Sequence, residues 1–477
     1  MSSSKLLANP VLDPPVNRGM SQLDRSKFTH RLDLLAARLP AAATTKFLKQ
    51  DGKDFVLRMR GIGAVKQDPS SDFRRVLLRT GDREKLPQLL LDILKTHNAE
   101  LVDESISFDY EYWTSDQVLQ AILPEDLLDE SPTAFTQVGH IAHLNLRDQY
   151  LPHRYLIGQV ILDKNKSLRT VVNKLDTIDN TFRNFKMEVL AGDADFIVEM
   201  AEHDCRFRFD FSKVYWNSRL QTEHARLVDS FKPTDVVCDA FAGVGPFAIP
   251  AGKKGCAVLA SDLNPASAEA LAENAKINKV EATVRTANAD ARDFIRKSVL
   301  ALWDDPFPEY VAPLSSKQRN RRNREARELA KATPPADSLA PSSEPSTSSA
   351  EPPTNDRSTN SAPVPPRRLI NHFVMNLPAS AIEFLDAYRG LYRELYARHG
   401  NEARAAVEEV GLPVVHCYCF TKDVEGAEKD ICQRATSALG FEVHPGLPDY
   451  ALRFVRDVAP KKEMYCLEFR LTPEMVE

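Results

Sequence analysis

The sequence predicts an α/β protein whose C-terminal part forms a doubly wound, mostly parallel sheet, preceded by smaller α+β domains. From residue 235 onward, short apolar runs alternate with helical patterns, and this alternation is typical of parallel sheets with helices on both faces. The last two strand-like stretches, 450–460 and 463–472, have no helix between them. They therefore predict an antiparallel terminal strand at one edge of the sheet.

The other elements of this predicted sheet fall on both sides of a segment of unusual composition. Apolar runs predict strands at 235–240, 256–262, 282–290, 372–378 and 412–420. Helical periodicity predicts a helix from about Pro246 and further helices at 265–279, 380–400 and 426–440. The unusual segment thus interrupts one fold between its third and fourth strands.

The interrupting segment, residues 315–368, is basic at its head and then rich in Ser, Pro and Thr. A tract with so few apolar residues cannot bury enough surface to offset its chain entropy. We therefore predict a disordered insertion. Its basic head could contact RNA, although a solvated run of charges is the favoured interpretation.

The length of 477 residues predicts two or three domains. Residues 1–130 carry helix-like and strand-like pieces without a recognisable motif, and residues 206–477 contain the sheet. Between them, residues 131–205 combine short strands and a helix with an excess of basic side chains, which predicts the most basic face of the protein. Those basic residues are Arg147, Arg154, Lys164, Lys166, Arg169, Lys174, Arg183 and Lys186.

The overall composition is that of a soluble globular protein, with 43% hydrophobic and 27% charged residues. No apolar run is long enough to span a bilayer, and a net charge of -5 does not by itself indicate a nucleic-acid partner. The odd number of cysteines, 7, and their position in strand-like runs predict reduced, packed thiols in an intracellular protein, with no metal site. Residues 1–20 faintly resemble a mitochondrial presequence, but a frayed terminus explains them equally well.

A glycine-rich turn, "DAFAGVGPFA" at 239–248, follows the first predicted strand of the sheet. Gly243 and Gly245 would let a ligand lie against bare backbone, although such a turn alone is a weak signal. Asp262 ends the next strand, where a carboxylate can accept both hydroxyls of a ribose. Asp290 ends the third strand and could face an adenine amino group. Together these residues favour an adenosine-containing ligand at the carboxyl edge of the sheet.

Several uncommon motifs occur in a specific order: "IDNTFRNFKMEVLAGD", "KVYWNSRLQTEHARL", "DAFAGVGPFAIPA", "SDLNP" and "NLP". In this order they resemble the eukaryotic and archaeal tRNA guanine-37 N1-methyltransferases, over roughly residues 135–300 and 370–475. The resemblance implies a class I methyltransferase sheet that binds S-adenosyl-L-methionine. It also implies that 131–205 is a small RNA-contacting domain and that 1–130 recognises the body of the tRNA.

The same resemblance implies the site residues and their roles. Glu223 matches the general base and Arg183 the catalytic arginine, while Asn376 would hold the base edge or the cofactor amine. The implied cofactor-binding residues are Tyr215, His224, Gly243, Gly245, Asp262, Leu263, Asp290, Ala291 and Asn376.

The chemistry requires these residue types. N1 of guanine carries a proton at neutral pH, so a base must remove that proton as the methyl group arrives, and Glu223 can serve if burial raises its proton affinity. Loss of the proton drives negative charge onto O6, which Arg183 would stabilise.

The resemblance further implies methylation next to the anticodon, which supports maintenance of the reading frame. The expected partner is tRNA, without a membrane, and we expect a monomer divided among cytoplasm, nucleus and mitochondrial matrix. Two alternatives stay open. One is the related enzyme of wybutosine synthesis, which transfers an aminocarboxypropyl group to tRNA, and the other is a non-catalytic RNA-binding protein.

Overall fold

The computed structural model describes residues 8–129, 132–175, 186–311 and 367–477, together with Arg321 and Arg324. Nearly all of the predicted insertion, 315–368, lies outside these residues. Contacts divide the described residues into two compact units, one formed by those up to 175 and by 186–196, and the other by those from 197 onward. None of the helices in the described ranges is both long enough and apolar enough to cross a membrane.

The first unit contains two four-stranded sheets. The first sheet is antiparallel, with the order β2-β3-β1-β4. Its strands are β1 His30–Pro40, β2 Val65–Gln67, β3 Phe73–Leu77 and β4 Glu100–Phe108. The helices in this part of the chain are α1 Ala41–Lys46, α2 Gln88–Thr96 and α3 Ser115–Ile122.

The second sheet of this unit has the order β5-β6-β7-β8. Its strands are β5 Thr136–Val138, β6 Ile141–Leu144, β7 Thr170–Lys174 and β8 Met187–Gly192. The parallel pair β6 and β7 needs a crossover, which α4 (Arg154–Lys164) supplies. One apolar cluster includes buried residues of both sheets, such as Ile106 and Val171, together with Trp113 and with Ile157 of α4. Segments 8–129 and 132–196 therefore share a hydrophobic core.

The second unit is built on a seven-stranded mixed sheet with the order β13-β12-β11-β14-β15-β17-β16. These strands are β11 Val236–Asp239, β12 Ala257–Asp262, β13 Val284–Asn288, β14 His372–Met375, β15 Val414–Thr421, β16 Ala451–Ala459 and β17 Lys462–Arg470. Strands β11 to β15 are parallel, and β17 is antiparallel to both β15 and β16. A separate hairpin is formed by β9 Ile197–Glu202 and β10 Cys205–Asp210.

In the described ranges, five helices follow strands of the large sheet and lead to the next strand along the chain. They are α6 Ala248–Lys254, α7 Pro265–Ile277, α8 Ala291–Asp304, α9 Arg393–Val410 and α10 Ala427–Leu439. Helix α5 Gln221–Ser230 precedes the sheet, and the short α11 Pro473–Val476 follows it. Alternate strand residues such as Cys238, Phe373 and Cys417 form an apolar core with α8, α9 and α10. The intervening residues, among them Tyr418 and Glu468, therefore point to the opposite face. All seven cysteines are free, and every one except Cys432 is buried.

Three expectations from the sequence need correction, and the first two concern a helix and a domain boundary. The helix predicted over 380–400 is interrupted, because a 3₁₀ helix ends at Tyr388, Gly390 adopts a positive φ of 63°, and α9 begins only at Arg393. The predicted domain boundary at 205/206 would divide the β9–β10 hairpin, which belongs to the second unit. That assignment follows from backbone amides of β10, since Arg206 and Arg208 donate to Asn278 and Asn274.

The predicted insertion also ends too late in the sequence, because Arg367 and Arg368 are part of the packed structure. The backbone of Arg367 pairs with that of Phe307 in an isolated antiparallel bridge. Its guanidinium donates to the carbonyl oxygens of Pro308 at 2.9 Å and Gly255 at 2.8 Å. Arg367 therefore joins the two chain segments that flank the insertion to the turn before β12.

We predict that Arg367→Ala destabilises the protein by about 1–3 kcal/mol, because several carbonyl groups lose a charged donor. The matched control is Arg398→Ala, which removes an exposed pair with Glu394 on α9 and should cost no more than about 0.5 kcal/mol. Urea unfolding of both variants tests this difference. Equal stability of the two variants would show that the Arg367 side chain does not stabilise the packing of the segments that flank the insertion.

Candidate functional site

The glycine-rich turn joins β11 to α6, and its two glycines have different physical roles. Gly245 has a φ of 101°, and a Cβ atom there would lie 2.6 Å from Ile249 Cγ1 and 2.8 Å from Leu271 Cδ1. Its missing side chain is thus required by packing within the protein, whether or not a ligand lies against its backbone. Gly243 has a φ of 55°, and a Cβ atom would meet nothing within 4 Å. Gly243 therefore borders open space.

Asp262, at the end of β12, fixes this turn in place. Its Oδ2 accepts a hydrogen bond from the Gly243 amide at 2.9 Å, and its Oδ1 accepts one from the Asn264 amide at 2.9 Å. Burial raises the pKa of this carboxyl, although the two amides oppose the shift. A carboxylate offers about four acceptor positions. Asp262 can therefore hold the turn and still accept hydrogen bonds from a ligand.

The sequence analysis did not single out Asp239, which ends β11 and is fully buried. Its Oδ1 accepts a 3.3 Å hydrogen bond from the Phe241 amide, but Oδ2 has no hydrogen-bond partner among the described residues. Burial raises the pKa of this carboxyl to about 8. An unpaired buried acceptor is costly. The available signal was the acid that ends "VVCD" just before the glycine turn, at the position that Asp262 occupies on β12.

Two further predicted residues follow the neighbouring strands β13 and β14. Asp290 is the N-cap of α8, where its Oδ1 accepts from the amide of Arg292 at 2.9 Å, and buried Ala291 begins the helix. The cap alone explains an aspartate at this position. Asn376 directly follows β14, and its Oδ1 is buried without a hydrogen-bond partner in the described ranges.

These groups share one edge of the sheet, because β13, β12, β11 and β14 are adjacent and parallel. Asp290, Asp262, Asp239 and Asn376 occur at the carboxyl ends of those strands in that order. The two orphaned oxygens and the open space at Gly243 fit a ligand that brings hydrogen-bond donors or positive charge. An adenosine-containing cation such as S-adenosyl-L-methionine has these groups.

The other predicted cofactor residues have mixed surroundings. Leu263 and Tyr215 are exposed, at 47% and 54%. His224, in contrast, is buried, with its Nδ1 2.6 Å from Glu202 Oε1 and its ring packed against Phe247. The structure therefore gives His224 an anchoring contact within the protein.

Glu223 lies in the first turn of α5 and is largely buried, with its side chain 11% exposed. The surroundings are not apolar, because a guanidinium and a hydroxyl contact the carboxylate. Arg226 donates from Nε to one carboxylate oxygen at 2.8 Å and from a terminal nitrogen to the other at 2.7 Å. The Tyr418 hydroxyl donates a third hydrogen bond at 2.8 Å. Glu223 is thus an oriented, ion-paired carboxylate.

The structure also revises the predicted basic residues. Arg183 lies outside the described residues. Lys164 is half-buried, its ammonium lies 3.6 Å from the centre of the Tyr110 ring and it donates to the Tyr110 carbonyl. Burial lowers the pKa of Lys164. Its role is therefore structural, which corrects its assignment to an RNA-contacting face.

Two arginines of that face are ion-paired, Arg154 with Glu188 at 3.0 Å and Arg169 with Asp195 at 2.9 Å. Lys166 and Lys186 remain exposed. The net positive charge of this surface is consequently smaller than the count of lysines and arginines predicts.

Comparison with known proteins gives matches over both units. A sequence profile of the TRM5/TYW2 methyltransferase domain matches residues 198–301, and one of the TYW2 N-terminal domain matches residues 115–195. Two solved structures have the same fold. A complex of aTrm5 and tRNALeu is 19% identical with a TM-score of 0.55, covering 92% of this chain and 100% of that chain. Trm5b from Pyrococcus abyssi is 21% identical with a TM-score of 0.53, covering 92% and 99%.

Curated relatives are more similar and span almost the whole chain. A tRNA (guanine(37)-N(1))-methyltransferase of Coprinopsis cinerea is 46% identical, covering 97% of this chain and 96% of the relative. Proteins of the same name from Schizosaccharomyces pombe and Saccharomyces cerevisiae are 41% and 38% identical, covering 96% and 99% of this chain and 95% and 96% of the relatives. The chain belongs to the tRNA (guanine(37)-N(1))-methyltransferase family.

Proposed function

We propose that this protein transfers the methyl group of S-adenosyl-L-methionine to N1 of guanosine 37 of tRNA, next to the anticodon. The observation that carries the proposal is the 46% identity over 97% of the chain to a protein of that name. The polar edge of the sheet supports it, because its acceptors suit a cationic nucleoside. We further propose that the sheet has the class I methyltransferase layout. The three predicted domain roles, the monomeric state and the compartments stay predictions.

The described residues suggest how the cofactor is held. Asp262 would accept hydrogen bonds from the ribose hydroxyls, and Asp239 and Asn376 would receive the positively charged part of the cofactor through their orphaned oxygens. S-adenosyl-L-methionine supplies an electrophilic methyl group on a sulfonium. The protein's task is then to orient that methyl group and to keep water from it.

Glu223 would act as the general base for guanine N1. Its three hydrogen bonds leave about one of the four acceptor positions of a carboxylate open, so the N1 proton has a defined place to go. Arg183 would stabilise the charge that develops on O6. This division of roles follows from the loss of the N1 proton during methyl transfer.

Aminocarboxypropyl transfer is the nearest alternative, because the matching domain profile covers both TRM5 and TYW2 proteins. The names of the relatives at 38–46% identity favour methyl transfer. Mass analysis of nucleosides from a tRNA transcript incubated with the protein and the cofactor tests the proposal. We expect 1-methylguanosine at position 37. A product heavier by an aminocarboxypropyl group, or an unmodified transcript, would contradict it.

We predict that Asp239→Asn makes the cofactor-free protein more stable but weakens cofactor binding at least tenfold. The folded-state pKa of about 8 lies above the ordinary value of 3.8, so the wild-type protein loses stability as pH rises through this interval. The variant should lose less stability over the same interval. Thermal melts across pH and calorimetric titration with the cofactor measure both effects. Equal pH dependence of the two proteins would show that the Asp239 carboxyl does not ionise as proposed.

We predict that Glu223→Gln slows the chemical step by about a hundredfold or more and leaves cofactor affinity nearly unchanged, because the amide keeps the shape but loses basicity. Rapid-quench single-turnover assays with saturating tRNA and cofactor isolate this step. Higher pH should partly rescue the variant, since guanine N1 then loses its proton without help. As a contrast, Asp262→Ala should lose cofactor affinity first. Methylation by Glu223→Gln at the parental rate would remove the base assignment.

We predict that neutralising Lys166 and Lys186 together weakens tRNA binding and lowers the slope of log affinity against log salt by about one per lost phosphate contact. Lys164→Met is the matched comparison and should mainly lower the melting temperature, because Lys164 contacts Tyr110. Filter binding at several salt concentrations measures the slope. An unchanged slope in the double variant would mean that the RNA contacts lie elsewhere.

A further inference from the structure

Glu223 is one end of a partly buried ionic network that reaches the antiparallel strands β16 and β17. Arg226, which holds Glu223, also donates to Glu468 Oε1 at 2.9 Å. The second oxygen of Glu468 accepts a 2.9 Å hydrogen bond from Arg453 on β16. Two carboxylates therefore share the Arg226 guanidinium, and the formal charges of the four side chains cancel.

The burial of Glu468 makes this arrangement more than a surface ion pair. Its side chain is 9% exposed, and that of Arg226 is 31% exposed. Burial alone would raise the pKa of the Glu468 carboxyl, but its contacts with His416 and Arg453 and the charge of Arg226 lower that pKa to about 2. Glu468 is consequently negative near neutral pH, and Arg226 contacts the carboxyl groups of both Glu468 and Glu223.

The neighbouring titratable groups do not replace either arginine. His416 lies opposite Glu468 on β15, with Nδ1 3.4 Å from Oε1, and burial lowers its pKa. Its other ring nitrogen is 3.1 Å from His372, which in turn lies 3.3 Å from Asp235. Burial also raises the pKa of Cys466 well above its ordinary value. Burial thus disfavours the charged forms of both His416 and Cys466.

A metal ion is a poorer explanation of the same cluster. His416, Cys466 and Glu468 have potential ligand atoms within 4.8 Å of one another. Both oxygens of Glu468, however, already accept hydrogen bonds from guanidinium groups, and a cation would have to displace or repel them. The geometry instead connects Glu468 to Glu223 through Arg226.

We propose that Glu468 is a positioning residue for the base, because it holds one side of the Arg226 guanidinium and so fixes both the orientation and the proton affinity of Glu223. This inference rests on the proposed function of Glu223. A guanidinium that faced Glu223 alone would stabilise the ionised carboxylate more strongly and make it a weaker base. Because Arg226 is shared with Glu468, it keeps Glu223 ordered without making Glu223 a weaker base. No atom of Glu468 needs to touch the tRNA or the cofactor.

The test is the pH dependence of the single-turnover methylation rate. In Glu468→Gln, Arg226 interacts with Glu223 as its only carboxylate partner. The midpoint of the acidic limb should therefore move to lower pH by about one unit. The plateau rate should fall about tenfold, because Glu223 becomes a weaker base. In Arg226→Gln, Glu223 loses its cation, so the midpoint should move to higher pH by about one unit or more. Opposite displacements in the two variants are the result that supports the proposal.

Controls separate this effect from a loss of structure. Glu468→Gln leaves two guanidinium groups with one carboxylate, so the double variant Glu468→Gln/Arg453→Gln restores neutrality and should show the same downward displacement. Glu273→Gln removes a 2.7 Å ion pair with Arg208 and should leave the midpoint unchanged. Melting temperature and cofactor affinity are measured for every variant.

Three results would overturn the proposal. The first is a slow Glu468→Gln enzyme whose midpoint stays at the parental pH in both the single and the double variant, since that outcome indicates a structural role only. The second is a parental rate and profile in Glu468→Gln. The third is a parental rate in Glu223→Gln, which also refutes the base assignment. If Glu223→Gln is slow and the pH profile of Glu468→Gln matches the parental one, the positioning role of Glu468 is refuted and the base assignment of Glu223 is retained.

Discussion

The parallel pairing of β11 with β12 and β14 is the constraint on which the candidate site depends. Parallel strands run in one direction, so their carboxyl ends meet at a single edge, and side chains distant in sequence become neighbours there. The amide of Gly243 and the carboxylate of Asp262 then join two of those ends directly. The position of the turn is therefore set by strand order and one hydrogen bond, and Asp239 and Asn376 gain their position relative to it from the same sheet.

At this carboxyl edge of the sheet, two buried hydrogen-bond acceptors have no donor in the described part of the chain. The buried oxygens of Asp239 and Asn376 lack hydrogen-bond partners among the described residues, and each such group costs about 1–3 kcal/mol. A protein selected only for stability would have lost them, whereas a protein that binds a donor-rich cation needs them unpaired. The site thus carries a local instability that its ligand can relieve.

Glu223, the proposed base, has its buried charge balanced by other groups of the protein. Glu223 is withdrawn from water, but Arg226 and Tyr418 compensate its charge and fix its direction. A buried carboxylate without such partners would take up a proton and lose its function as a base, while one held by an undivided guanidinium would bind protons too weakly. In our proposal, division of Arg226 between Glu223 and Glu468 lies between these limits. The contacts that orient Glu223 come from three different elements, α5, β15 and β17.

The sequence by itself determined the alternation of strands and helices, the acid after each of two adjacent strands and the family motifs, because these are local patterns with fixed periodicity. Only the tertiary structure decided how side chains distant in sequence meet. Gly245 is required by contacts with Ile249 and Leu271, Lys164 is held by Tyr110, and Glu223 is paired through Arg226 with Glu468, which is 242 residues from Arg226 along the chain. Such contacts depend on strand order and on which elements pack against each other, and neither is encoded in local spacing.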